Sequence, residues 1–540
     1  MVFSVVLPYS RKLYLAIVFT NKKIMKTLVL IRPLLFLSFI AIISCNNEPD
    51  LSIGETEKAG AYREKDYFLK LGHKLENPYS VKNMKRALDS VKAKMTISKS
   101  AKSASEFDIE TSHIYVRIEP KNAEEEALLK RDTAQNFFDY PLDYEFPEEV
   151  LKEMGTNVSD SIGSYYVSVP KDYIFPEGIK TEVIEELYIP EQDPYFDDVA
   201  ETGKANKSTI STKEDLLGNL LIEAFKLTHN EKELDLQSSS SGKSAWWIFG
   251  SKWRPSGRIT MWDNSLNKIV PVEGAQILVR QWFTVDSGIT DANGNFSTGT
   301  VRGEARYIIQ WERQHYDIRN GWFGQAETRG PSKKNEAWGF NITSEDDIQY
   351  AMIHRAAHHY YYKDIKGLRR PPFDSEMPSR MKIAAIHDFP DGSNGDTSFW
   401  RGLGGVLPTI RIYKRKYCKE YYGTTIHELA HSSHWKMAWW TFQTVDDKVK
   451  ESWARGVQWE LTGMIYNNYT NDYFGNYTGI VEDMIDNTYS IGDNVTGYSI
   501  LQIENSLKYQ KTFDDWKNKI KNDYENPTEN NLDQLFNYWN

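Results

Sequence analysis

Residues 424–435 read TTIHELAHSSHW, with two histidines four positions apart and a glutamate directly after the first. On a helix, positions i and i+4 share a face, so the imidazoles of His427 and His431 project together and can meet one metal ion. Glu428 then sits where its carboxylate reaches a water on that metal. Zinc would lower the pKa of the water, Glu428 would take its proton, and a polarised carbonyl would receive the attack. With 11 histidines in 540 residues, chance writes this pattern roughly 0.02 times in such a chain. Accident is therefore a poor account of it. The stronger competitor is an inherited but inactive site, or a metal-free helix with packed histidines.

Two imidazoles alone hold zinc weakly. Glu451 lies 20 residues after His431, in the run Val449-Lys-Glu-Ser-Trp-Ala454. A second helix returning antiparallel would set its carboxylate opposite the imidazoles, giving two His, one Glu and a fourth place for water. His434 competes for the third position, although its angle to a site shared with His427 is poor, and a more distant carboxylate completes the alternatives. His354 and His358 are also four apart, in AMIHRAAHHYYY. They lack a third ligand at useful spacing, so packing is their first reading, with substrate contact or support of the first site as the other. Cys418 has lysines at 416 and 419 but no histidine base that the sequence places beside it. It reads as a structural thiol.

The HELAH run with a downstream glutamate in an E-x-x-A setting resembles the zincin metallopeptidases, specifically the gluzincin branch. The resemblance implies one Zn2+ on His427, His431 and Glu451, with Glu428 as base, in an enzyme that hydrolyses peptide bonds in a protein, peptide or glycopeptide. It also implies an edge strand beside the metal helix, for which 409–413 is well placed. The family's Tyr or His transition-state donor is not found by motif. His354, His387, Tyr466 and Tyr469 are candidates for that contact, and His434 is a further candidate substrate contact. The rival reading is a noncatalytic surface lipoprotein that binds protein or glycan and keeps a degenerate zincin scaffold.

The elements that must position this site read as follows. Helical spacing predicts helices over 81–95, with Ser80 as N-cap, 216–227 and 346–364, and around His427, Val449, Glu482 and Asp514. Alternation predicts strands over 113–118, 163–169, 182–187, 381–387 and 409–413, with Gly-rich 402–405 between the last two. The run 270–280 alternates almost fully, an Asn-Gly turn falls within 290–296, and 307–311 continues the pattern. This block resembles the carboxypeptidase regulatory-like, prealbumin-like module, through G-A-x-V with Ile277 in the valine place and T-D-x-x-G-x-F. That likeness implies a structural or adhesive role. The SSSSGKS run at 238–244 ends like a phosphate loop but lacks the upstream glycine and strand.

The fold class expected is multidomain α+β: an N-terminal α/β region, a small antiparallel β-sandwich, and a C-terminal, mostly helical zincin-like metallopeptidase domain. The spans are a leader over 1–44, a tether over 45–75, an N-terminal α+β region over 76–245, the sandwich over 260–325 and the catalytic domain over 335–540. The composition, 40% hydrophobic and 26% charged with two cysteines, excludes a collagen-like, wholly disordered or disulfide-stapled chain. A net charge of -10 argues against a nucleic-acid partner.

Residues 25–45, MKTLVLIRPLLFLSFIAIISC, join a basic start to an apolar run, the pattern of an export segment. A permanent membrane anchor or a buried strand is the other reading. Ile42-Ile43-Ser44-Cys45 resembles the lipobox of bacterial lipoproteins. That resemblance implies lipidation at Cys45, membrane attachment through the lipid alone, and an exported protein on the outer membrane or cell surface of a Gram-negative bacterium of Bacteroidota type. Met25 is then a better start than Met1. Removing the leader takes six of 65 basic residues and no acidic ones, leaving 59 against 75 and a formal charge of -16.

Overall fold

The computed structural model describes residues 66–69, 72–94, 107–145, 152–155, 163–193, 207–231, 252–322, 324–373, 375–377, 379–387, 394–397, 409–488 and 494–540. The leader, Cys45, the 238–244 run and the glycines at 402–405 lie outside them. The fold is the mixed, multidomain α+β class expected, and no described helix is long and apolar enough to cross a membrane.

In chain order the N-terminal region holds β1 (Asp66–Leu69), α1 (Val81–Lys94), β2 (His113–Glu119), α2 (Ala123–Lys130), β3 (Lys152–Gly155), β4 (Tyr165–Pro170), β5 (Lys180–Leu187) and α3 (Lys207–Leu227). Ser80 caps α1, its Oγ accepting the Asn83 N–H at 3.2 Å. Strands β4-β2-β5 form an antiparallel sheet. The tether expected to run to residue 75 is shorter, because β1 pairs antiparallel with β3 and the Gly72 N–H donates to the Glu145 carbonyl at 2.9 Å. Backbone pairing with a distant segment orders this stretch, and a polar composition carries no trace of such pairing.

The next strands are β6 (Ser256–Asp263), β7 (Lys268–Pro271), β8 (Gln276–Gln281), β9 (Thr284–Ile289), β10 (Asn295–Ser297), β11 (Ala305–Gln310), β12 (Tyr316–Asn320), β13 (Gly324–Gln325), β14 (Glu327–Lys333) and β15 (Trp338–Ile342). Two four-stranded sheets result, β10-β6-β15 with β7 on β6, and β14-β11-β8-β9. All their pairs are antiparallel except β6 with β15. The single run expected over 270–280 is two strands, broken at Gly274, whose φ of +78° suits glycine. The Asn293-Gly294 turn does not close a hairpin. It carries the chain from β9 in one sheet to β10 in the other. Strand β8 is buried on both faces: Ile277 and Val279 enter the core shared with β6, while Leu278 packs with Phe225 of α3 and Leu88 of α1. Double burial is why its alternation is imperfect.

The C-terminal block adds α4 (Glu345–Tyr362), β16 (Met381–Ile386), β17 (Gly395–Thr397), β18 (Ile410–Tyr413), α5 (Cys418–Met437), α6 (Trp439–Phe442), α7 (Asp447–Gly463), α8 (Ile480–Ile485), α9 (Ile500–Leu507), α10 (Phe513–Asp523) and α11 (Leu532–Trp539). Its sheet runs β13-β12-β16-β18-β17, with β12, β16 and β18 parallel and the two flanking strands antiparallel. The segment expected as the edge, 409–413, is therefore internal, because β18 pairs with β16 on one side and with β17 on the other. On that side of the sheet the edge strand among the described residues is β17, a Gly-Asp-Thr tripeptide too short and too polar to show a strand pattern. The sandwich and C-terminal spans also interleave: β12 and β13, inside 260–325, belong to this sheet, whereas β14 and β15 return to the sandwich. One hydrophobic core spans both.

A buried ionic cluster joins α2 to this sheet. Asp317 and Arg319 alternate on β12 and share a face with Lys382 on β16. Glu126 of α2 meets Lys382 at 2.6 Å and Arg319 at 3.2 Å, and accepts the Tyr165 hydroxyl. Lys130 reaches Glu312 at 3.1 Å and Asp317 at 3.3 Å.

Candidate metal centre

Helix α5 is held from its first turn. Asn264 Oδ1 accepts the Cys418 N–H at 2.8 Å and Ser265 Oγ accepts the Lys419 N–H at 2.9 Å, so the β6–β7 turn satisfies two of the N–H groups a helix start leaves orphaned. Glu420 reaches back to the Tyr417 N–H at 3.0 Å. Residues 418–434 are almost continuously buried, against α4, α7, β17 and β18. Hydroxyls that would be costly in such a helix bond the preceding turn: Thr425 to the Tyr421 carbonyl at 2.8 Å and Ser432 to the Glu428 carbonyl at 3.2 Å. Cys418 is a buried free thiol, pushed up to about 11 by burial, as its structural reading implies.

Helix α7 lies against α5 and brings Glu451 to the histidines. Glu451 Oε2 is 3.1 Å from His427 Nε2 and 3.2 Å from His431 Nε2, and the two Nε2 atoms are 3.2 Å apart. Among the described residues these three make the one group of His, Cys, Asp and Glu able to hold a metal. A triangle with such edges is the face of a tetrahedron whose centre lies about 2 Å from each corner, the bond length of zinc to nitrogen and carboxylate oxygen. In the tautomer that leaves both Nε2 atoms unprotonated, the three converging atoms are acceptors that a cation between them would satisfy. The donor set fits zinc. Among the described residues His427 Nδ1 and His431 Nδ1 find no hydrogen-bond partner, so none of these residues gives the outer support usual for metal-binding imidazoles.

The electrostatics follow from burial and crowding. Burial pulls His427 down to about 4 against its hydrogen bond to Glu451. At His431 the carboxylate outweighs burial and the shift is upward. Burial alone would raise Glu451, but the imidazoles, His431 foremost, hold it well below the usual carboxylate range. Glu428 is pushed up to about 7, by burial first, with His431 and the Thr397 hydroxyl opposing.

Glu428 is positioned by the edge strand. Thr397 Oγ1 donates to Glu428 Oε2 at 2.7 Å, and its neighbour Gly395 clears the approach. A Cβ at 395 would stand 2.7 Å from Thr424 Cγ2 and 3.2 Å from Glu428 Oε1.

The other expected contacts do not converge here. His434 is buried on α5 with its ring edge-on to Phe442 at 5.1 Å and is not part of the metal group. His354 bonds the Tyr316 hydroxyl at 3.0 Å and the Glu273 carbonyl at 2.9 Å, and its ring stacks on His358. Its work is to tie α4 to the sandwich turn. His387 sits among Asn320, Tyr350 and Asp346. The Tyr466 hydroxyl donates to Asp263 at 2.7 Å and Tyr469 accepts from Gln458 at 2.7 Å. Sequence reasoning missed Thr397, which stands in a stretch with no strand signal, and Tyr477, whose ring lies 5.9 Å from that of His427. Tyr477 follows the tyrosines that were singled out, and its distance from the motif hid it.

Compared with known proteins, this chain matches no family model and no curated protein.

Proposed function

We propose that this chain is a zinc-dependent hydrolase of peptide bonds, exported and lipid-anchored at Cys45, with the gluzincin type of site that the HELAH run resembles. The observation that carries the reading is the convergence of His427 Nε2, His431 Nε2 and Glu451 Oε2 beside a carboxylate, Glu428, that a structural metal would not need. Zinc bound to the triad supplies Lewis-acid polarisation of a carbonyl and an acidified water. Thr397 occupies Glu428 Oε2, leaving Oε1 to take the proton and hand it to the leaving amine. Burial favours the protonated form of Glu428, which helps a carboxylate take up a proton.

The test is elemental analysis of the protein beginning at Asn46, alongside His427→Ala and Glu428→Gln, with a broad peptide-library screen. The expected result is about one zinc in the parent and in Glu428→Gln, little in His427→Ala, and turnover in Glu428→Gln lower by about 10²–10⁴-fold. Equal turnover in Glu428→Gln would sink the mechanism. The unpartnered Nδ1 atoms favour a second reading, the noncatalytic lipoprotein with a degenerate scaffold. A folded protein that takes up no zinc on reconstitution would support it.

A further inference from the structure

Arg455 stands one turn beyond Glu451 on α7, and Asp447, Glu451 and Arg455 share a face of that helix at i, i+4 and i+8. Its guanidinium lies 4.7 Å from the ring centroid of Tyr477, the same ring that packs against His427, and 6.0 Å from that of Phe474. Its hydrogen bonding among the described residues is neutral: one N–H donates to Gln458 Oε1 at 3.2 Å, and its buried Nε finds no partner there. No described carboxylate pairs with it, whereas Arg355 closes on Asp263, Arg369 on Glu504 and Arg411 on Asp396. The side chain is half-buried, so it is partly desolvated yet reachable.

An arginine without a counter-ion next to a triad that holds a dication is electrostatically unfavourable unless an anion comes to lie near both. The anion a peptide offers beside its scissile bond is a carboxylate. We infer that Arg455, held by the Tyr477 face, binds a substrate carboxylate adjacent to the cleaved bond, so that the site removes residues from the free C-terminal end of peptides. This rests on the proposed peptidase activity and adds the substrate class. Guanidinium and carboxylate match as a planar, bidentate pair, and charge-assisted bonds of this kind shift affinity by about 10- to 100-fold.

The test uses the zinc-loaded protein and one randomised hexapeptide library made in three forms: the free acid, the C-terminal amide, and the amide with aspartate as last residue. The expected result is kcat/KM at least about 10-fold higher on the free acid than on the plain amide. Arg455→Met should erase that preference, through KM more than kcat and with zinc content unchanged, and Arg455→Lys should restore part of it. If the aspartyl amide matches the free acid, the carboxylate read is a side chain's and the terminal assignment is overturned. Equal rates on acid and plain amide, or an Arg455→Met loss equal in both, would show that Arg455 only packs against Tyr477. Calorimetry of single acetylated peptides, as acid and as amide, on zinc-loaded Glu428→Gln reads the same contact without turnover. The acid should bind about 10-fold tighter, and equal binding overturns the inference. A wild type that cleaves none of the libraries counts against the peptidase reading and leaves the calorimetric result to judge Arg455.

Discussion

In the proposed mechanism the Thr397 hydroxyl, which donates to Glu428 Oε2, fixes which oxygen of Glu428 is free to move a proton, so its contribution is separable from metal binding. Thr397→Val keeps the shape of the side chain and removes the 2.7 Å donor. Zinc content should stay at the parent level while kcat falls about 10-fold, the worth of one hydrogen bond to an ionisable group. A parent-like kcat would mean that packing alone holds Glu428. Most of the candidate metal centre was legible in the sequence, because HExxH on a helix is a local pattern and its geometry is set by 3.6 residues per turn. Glu451 could be named only as a candidate, since its approach depends on how α7 crosses α5. Thr397 and Tyr477 could not be found at all. Their relation to the site is made by folding, across 31 residues from Thr397 to Glu428, and no spacing rule connects them.

Among the elements, α7 is the one whose placement decides the site, and it is wedged from behind by α8. A Cβ at Gly456 would stand 2.2 Å from Val481 Cγ1 and 2.3 Å from its Cβ, and Val481 is fully buried. Gly456→Ala should therefore push α7 off α8 and cost about 1–3 kcal/mol. The loss would be read in denaturant unfolding, along with weaker zinc retention as Glu451 shifts. Unchanged stability and retention would show that α8 yields freely. Helix α1 and strand β2 were readable because one buried face writes itself into the sequence, and β16, buried along its whole length, was readable as a short apolar run. The failures were of two kinds. Strand β17 is three polar residues, and β18 was correctly read as a strand but misplaced at the edge, because hydropathy reports burial without reporting which neighbours supply it.

Across the whole molecule, the Glu126 cluster makes the N-terminal region part of the sheet that carries the metal helix. Burial would raise Glu126 and Asp317, but the surrounding cations outweigh it and hold both below the usual carboxylate range. A depressed folded value means that these carboxylates contribute their stability in full above the ordinary value near 4.5, and lose it as pH falls below that. Thermal melts should show stability dropping steeply below about pH 4.5. Glu126→Gln should cost about 3–5 kcal/mol at pH 7, by stranding buried Lys382 and Arg319, and should flatten the acid drop. A variant as stable as the parent at pH 7, with the same acid profile, would dismiss the cluster as a structural bond. The interleaving of β12 and β13 with the sandwich also bears on how the chain comes to be folded during synthesis. Strand β12 leaves the ribosome well before β16, its parallel partner, and Glu126 waits 256 residues for Lys382. The face of α2 that carries Glu126 and Lys130 stays uncovered until β12 and β16 are made. Slower assembly and longer exposure of that face are the kinetic cost of joining the N-terminal region to a sheet made far downstream in the chain.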